Sequence, residues 1–179
     1  MNDARQIHNI ALVGFMGTGK SSVGRMVAEQ LSFPFVDTDE LIEEHTGKSI
    51  SVIFAESGEP AFRKIEREIV AELTTRRHTV ISTGGGVGAS VENIASLKPH
   101  ALVVCLWASP EKIWERVKNQ SHRPLLKEPD PLAKIRQLLA AREPVYKQAD
   151  ILLNTDQRSL REVAQQVMHQ FKTAKWTGP

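Results

Sequence analysis

Short apolar runs alternate along this chain with longer stretches whose apolar residues recur every three or four positions. The runs Ile10–Val13 (extendable back to His8), Pro34–Val36, Thr79–Ser82, Ala101–Trp107 and Ile151–Leu153 read as strands buried on both faces. Between them, Lys20–Leu31 places Val23, Met26, Val27 and Leu31 on one helical face. Pro60–Thr75 does the same with Phe62, Ile65, Ile69, Val70 and Leu73. Pro110–Val117 follows Ser109, a helix N-cap, with proline at the first helical position. Leu132–Ala141 and Ser159–Phe171 complete the set of helices. Strands alternating with helices predict an α/β fold, a parallel sheet in the middle of three layers. Ile42–Ser51, polar around Gly47, and Lys118–Pro131, with three prolines and many charges, read as exposed loops. The second is long enough to predict a mobile lid. Thr173–Pro179 reads as a frayed tail that holds Trp176.

The chain of 179 residues fits one domain over 1–179. Its 41% hydrophobic and 25% charged residues are ordinary for a globular protein. Cys105, the single cysteine, excludes an internal disulfide and sits in the apolar run ALVVCLW, where a core role is expected. A net charge of +2 and 6% aromatic residues argue against nucleic-acid binding. No apolar run approaches the roughly 20 residues of a membrane helix, and MNDARQIHN is not of signal-peptide type, so the expectation is a cytoplasmic protein. Nothing in the sequence demands an oligomer.

The segment GFMGTGKS, Gly14–Ser21, fits G-x-x-x-x-G-K-[ST] between a strand and a helix. Gly17 and Gly19 let main-chain N–H groups close on phosphates, Lys20 reaches the β- and γ-phosphates, and the Ser21 hydroxyl suits Mg²⁺. The pattern implies ATP or a related nucleotide and does not by itself separate a kinase from an ATPase, a GTPase or a sensor. In FVDTDE, Asp37 and Asp39 end the second strand. Spaced two apart, both carboxylates are expected to face the crevice, one toward magnesium and one toward an acceptor hydroxyl; Asp39 is also a candidate helix N-cap. STGGGVG, Ser82–Gly88, follows the third strand and offers bare N–H groups and positive φ, or is a plain turn. Arg63, with Glu66 three residues on, Arg142 in AAREPVY and Arg123 in HRPLL suit an acidic substrate and a developing phosphoryl charge, if they are not simply solvated.

GFMGTGKS, DTD, GEPAFRKIE, TGGG, RPLL and REPVY occur in the order seen in shikimate kinases, and the chain resembles that family from about Asn9 to Phe171. The resemblance implies an adenylate-kinase-like P-loop fold with a five-stranded parallel sheet in order 2-3-1-4-5. It implies transfer of the ATP γ-phosphoryl group to the 3-hydroxyl of shikimate on the route to chorismate and the aromatic amino acids. The implied nucleotide contacts are Gly17, Thr18, Gly19, Lys20, Ser21 and Ser22, with Arg116 and Arg158 beside the adenine. The metal would lie at Ser21 and Asp37. Asp39, Phe54, Phe62, Arg63, Gly84, Gly85, Gly86 and Arg142 would bind shikimate, and Arg123 would arrive with the lid, Lys118–Pro129. Lys20, Asp39 and Arg123 would serve catalysis. A gluconate kinase and a nucleotide sensor without catalysis are the alternatives.

Overall fold

The computed structural model describes residues 5–119 and 129–175. Five parallel strands, β1 (Asn9–Val13), β2 (Phe35–Asp37), β3 (Val80–Ser82), β4 (Ala101–Trp107) and β5 (Ile151–Asn154), lie in the order β2-β3-β1-β4-β5. Among the described residues seven α-helices connect or flank them: α1 (Lys20–Leu31), α2 (Thr38–Thr46), α3 (Ile50–Glu72), α4 (Val91–Leu97), α5 (Pro110–Val117), α6 (Pro131–Tyr146) and α7 (Leu160–Lys175).

Alternation along the strands divides the core. Ile10 and Leu12 of β1, with Leu102, Val104 and Leu106 of β4, pack against Val23 and Val27 of α1 and Val163, Val167 and Phe171 of α7. Ala11, Val13, Val103 and Cys105 face the other way, toward Val70, Ile94, Ile113, Ile135 and Tyr146 of α3 to α6. β1 and all of β4 except Trp107 are buried, as the continuous apolar runs require of central parallel strands. β5 is an edge strand, and its Leu152 faces solvent at 52% exposure. Cys105 is fully buried, and burial pushes its thiol up to about 12, which agrees with an inert core residue.

Four expectations need correction. Ile42–Ser51 is mostly helix: α2 runs to Thr46, Gly47 caps it at φ 66°, and α3 opens at Ile50. The polar look of Glu43 and Glu44 is only the outer face of a helix whose inner face buries Ile42 against Ile53, Phe62 and Ile69. α3 begins ten residues before Pro60 and breaks at Gly58 (φ 74°, ψ 176°); Pro60, which lacks an N–H, follows that break without cost to the ladder. α6 runs past Arg142 through Pro144 to Tyr146, so Arg142 lies within a helix and not at its end. α7 continues to Lys175, because the stripe Val163, Val167, Phe171 keeps its face buried; only part of the expected tail is left, and Trp176 lies outside the described residues. Helix α4, short and weakly patterned, is an addition to the elements read from the pattern.

Candidate active site

Tight backbone geometry shapes the loop after β1. Gly14 (φ 133°) passes so close to the Leu106 carbonyl that a Cβ would overlap it. Gly17 (φ 74°) leaves room for the Val117 side chain, and Gly19 (φ 94°) is the N-cap of α1. α1 starts with no side-chain cap and no acidic residue in its first turn. Its leading N–H groups and dipole therefore face the crevice unquenched, which is what a polyphosphate needs. The Thr18 hydroxyl donates to the Phe15 carbonyl at 2.8 Å and closes the loop. Lys20 folds back over it, its Nζ donating to the carbonyls of Gly14 and Phe15, each at 2.9 Å. Ser21 Oγ donates to Asp37 Oδ2 at 3.0 Å and lies 3.2 Å from Ser82 Oγ.

Opposite stands the turn Asp37–Asp39. The helix cap belongs to Asp37, not Asp39: its Oδ1 accepts the Asp39 N–H at 3.0 Å. The two carboxylates reach one crevice because the chain turns from β2 into α2, not because both lie on a strand face. One cavity of about 370 Å³ joins the two sides, with Gly17, Gly19, Lys20, Ser21 and Ser22 on one wall and Asp37, Asp39, Thr83, Gly84 and Gly85 on the other. Met16 and Arg116 also line it. Asp39 is pushed up to about 6, first by burial, then by the charges of Asp37 and Glu66, with Lys20 opposing.

The glycines after β3 act by their lack of a side chain. Among the described glycines, positive φ occurs at Gly14, Gly17, Gly19, Gly47 and Gly58, and not in the Gly84–Gly86 loop. A Cβ on Gly84 would overlap the Asp39 carboxylate, and one on Gly86 would overlap the Arg63 guanidinium. Arg63 donates to Glu59 at 2.9 Å and to Glu66 at 3.0 Å. Glu66 is 1% exposed, and burial raises it against the pull of Arg63 and Arg142. Arg142 donates to the Gly85 carbonyl at 3.1 Å and lies 5.2 Å from the Phe15 ring centroid. Phe54 and Phe62 stack at 4.6 Å, and Arg63 lies 5.3 Å from the Phe62 ring. Arg63 and Arg142 thus stand beside the glycine loop, with Phe62 next to Arg63 and Phe54 next to Phe62, all outside the wall of the 370 Å³ cavity itself.

A second groove runs from Gly17 and Gly19 past Arg116, Thr155, Arg158 and Leu160. Arg116 ties the two loops that form it, donating to Gly17 O at 3.2 Å and to Thr155 O at 2.8 Å. Arg158 is exposed and bonded to the Asn154 carbonyl. Arg123 and most of the expected lid lie outside the described residues. Two residues escaped the sequence reading: Glu59, the outer partner of Arg63, and Thr38, whose buried hydroxyl accepts the Gly84 N–H at 2.8 Å. The signal for Thr38 was its place between the two aspartates; for Glu59 it was the spacing i, i+4.

A parallel α/β sheet with a phosphate loop after β1, facing a carboxylate and a glycine loop flanked by arginines, defines a P-loop kinase fold and site. The family model for shikimate kinase matches residues 16–172. The chain belongs to the shikimate kinase family. A shikimate kinase of Thermodesulfovibrio yellowstonii is 45% identical over 164 residues, covering 92% of this chain and 95% of that one. The structure of shikimate kinase from Acinetobacter baumannii in complex with shikimate superposes with a TM-score of 0.87 at 38% identity, over 97% of each chain. A gluconokinase from Sinorhizobium meliloti, at 19% identity and a TM-score of 0.63, shares the fold alone.

Proposed function

We propose that this chain transfers the γ-phosphoryl group of ATP to the 3-hydroxyl of shikimate, giving ADP and shikimate 3-phosphate for aromatic amino acid biosynthesis. The observation that carries this reading is the single cavity with a phosphate loop on one wall and Asp39 beside a bare glycine loop on the other. Gly17–Ser22 would hold the triphosphate, with Lys20 leaving the loop carbonyls to meet the β- and γ-phosphates. Arg116 and Arg158 would flank the adenine in the second groove. Arg63 and Arg142, both paired to groups that fix their direction, would bind the shikimate carboxylate, with Phe54 and Phe62 against the ring.

In the transfer, the 3-hydroxyl oxygen forms a bond to the γ-phosphorus as the bond to the β–γ bridging oxygen breaks. ADP departs, and the hydroxyl proton passes to the Asp39 carboxylate. Such a transfer depends on positioning and charge neutralisation more than on covalent chemistry, and this chain supplies both through Lys20, Asp39 and, from the lid, Arg123. The Ser21 hydroxyl and Asp37 carboxylate, 3.0 Å apart at the mouth of the loop, are hard oxygen donors that suit Mg²⁺. Among the described residues no three His, Cys, Asp or Glu side chains cluster as metal ligands. A magnesium ion would therefore rely on these two groups, phosphate oxygens and water, and when bound would neutralise phosphate charge.

The reading takes the protein as a cytoplasmic monomer that acts on small molecules. Among the described residues no helix is long and apolar enough to cross a membrane. ADP release, followed by a coupled assay with ATP and Mg²⁺, is expected to require shikimate. Equal release with gluconate or with no acceptor would overturn the substrate assignment.

A further inference from the structure

We infer that Thr38 is a positioning residue for the acceptor, the fastener that sets the Gly84–Gly86 loop against the Asp39 carboxylate. The inference rests on the proposed reaction. It starts from register: β2 and β3 pair in parallel with Asp37 beside Ser82, so the turns that leave the two strands run side by side. Thr38 lies in one turn and Gly84 in the other. Thr38 is fully buried. Its Oγ1 accepts the Gly84 N–H at 2.8 Å, in a buried bond across 46 residues of sequence.

The neighbours of this bond give it its consequence. One residue before Thr38, Asp37 both caps α2 through the Asp39 N–H and accepts from Ser21 of the phosphate loop. One residue after, Asp39 lies so near Gly84 that any side chain there would collide with it. One residue past Gly84, the Gly85 carbonyl accepts from Arg142, and Gly86 abuts Arg63. The Thr38 hydroxyl is thus the direct bond between the turn that carries Asp39 and the loop that receives both arginines. Thr83 anchors the same loop to β1 instead, through its N–H and hydroxyl to the Leu12 carbonyl, each at 3.0 Å. Without the Thr38 hydroxyl a buried N–H loses its partner, and an unpaired buried donor is unfavourable. The loop can recover that only by moving, which carries Gly85 and its arginine away from Asp39.

The test compares wild type, Thr38→Val, which keeps the shape, and Thr38→Ser, which keeps the hydroxyl. Thr38→Val is expected to raise KM for shikimate about tenfold or more, with KM for ATP within about twofold, and Thr38→Ser is expected to restore it. Gly84 amide hydrogen exchange should be slow in wild type and faster in Thr38→Val. An unchanged shikimate KM in Thr38→Val, an equal rise in both KM values, or failure of Ser to rescue would overturn the inference while the proposed function stands. Loss of shikimate dependence in wild type would instead overturn the proposed function itself. Should Thr38→Val not fold, the wild-type Gly84 amide decides: protection supports the bond, and exchange at open-loop speed refutes it.

Discussion

Asp39 illustrates how a single residue can be useful in the site and costly in the fold. Burial and the nearby charges of Asp37 and Glu66 push it up to about 6, from an ordinary 3.8. A carboxyl raised by folding leaves stability untouched below 3.8 and erodes it as pH climbs from there to about 6, since the folded state holds a proton the unfolded state has released. The penalty is then constant. At about pH 7.5, Asp39→Asn is expected to stabilise the fold by about 1–2 kcal/mol, after allowance for solvent screening, and to lose shikimate-dependent turnover. The gain should vanish in acid below 3.8. Denaturant melts across pH check this; a variant less stable than wild type at neutral pH would contradict it. The residues with distinctive chemistry were readable in sequence because their side chains are seldom placed together by chance. The sequence allows positive φ at the glycines 84 and 86; the structure shows none there and uses their missing side chains instead.

Elements were legible where packing follows from pattern. Ala101–Trp107 and Lys20–Leu31 match the observed bounds of β4 and α1. The second part of α3 was legible, but α2 and the start of α3 were not, because the break depends on Gly58 and the burial on Phe62 meeting Ile42, a contact between elements. The base of the sheet holds another feature visible only in three dimensions. The Asn9 amide of β1 accepts the Thr79 N–H at 3.0 Å, donates to the Arg76 carbonyl at 2.9 Å, and lies 2.9 Å from His100 Nδ1. With Oδ1 and one N–H so committed, Asn9 offers only a donor to His100, whose Nδ1 must therefore accept and whose ring must be neutral. Nε2 is buried and has no hydrogen-bond partner among the described residues. Burial, then the facing charges of Arg77, Arg5 and His8, hold His100 below its ordinary 6.5. The unfolded chain takes up that proton as pH falls below 6.5 and the folded one does not, so stability is full above 6.5 and declines below it. His100→Gln keeps an acceptor and cannot titrate. Its stability deficit relative to wild type should shrink between about pH 7.5 and 5; parallel profiles would contradict this account.

At the scale of the molecule, the sheet order explains why distant motifs form one site. β1 and β3 are neighbours, so the phosphate loop and the glycine loop leave the sheet together. β2 adds the aspartates beside them, and β4 and β5 bring Arg116 and Arg158 to the far side. Ligands of open α/β sheets lie at these carboxyl ends. The parallel architecture followed from alternation of strands and helices. The strand order came from family resemblance, since local pattern carries no information on which strands pair. Thr38 stayed hidden for the same reason: its partner is settled by register. The account stands on transfer to one hydroxyl of shikimate. The most direct measurement is ³¹P and ¹H NMR of the product formed from ATP, Mg²⁺ and shikimate. The account predicts one phosphate ester, coupled to the proton at carbon 3, in amounts equal to the ADP formed. Free inorganic phosphate with unchanged shikimate, or an ester at another carbon, would contradict it.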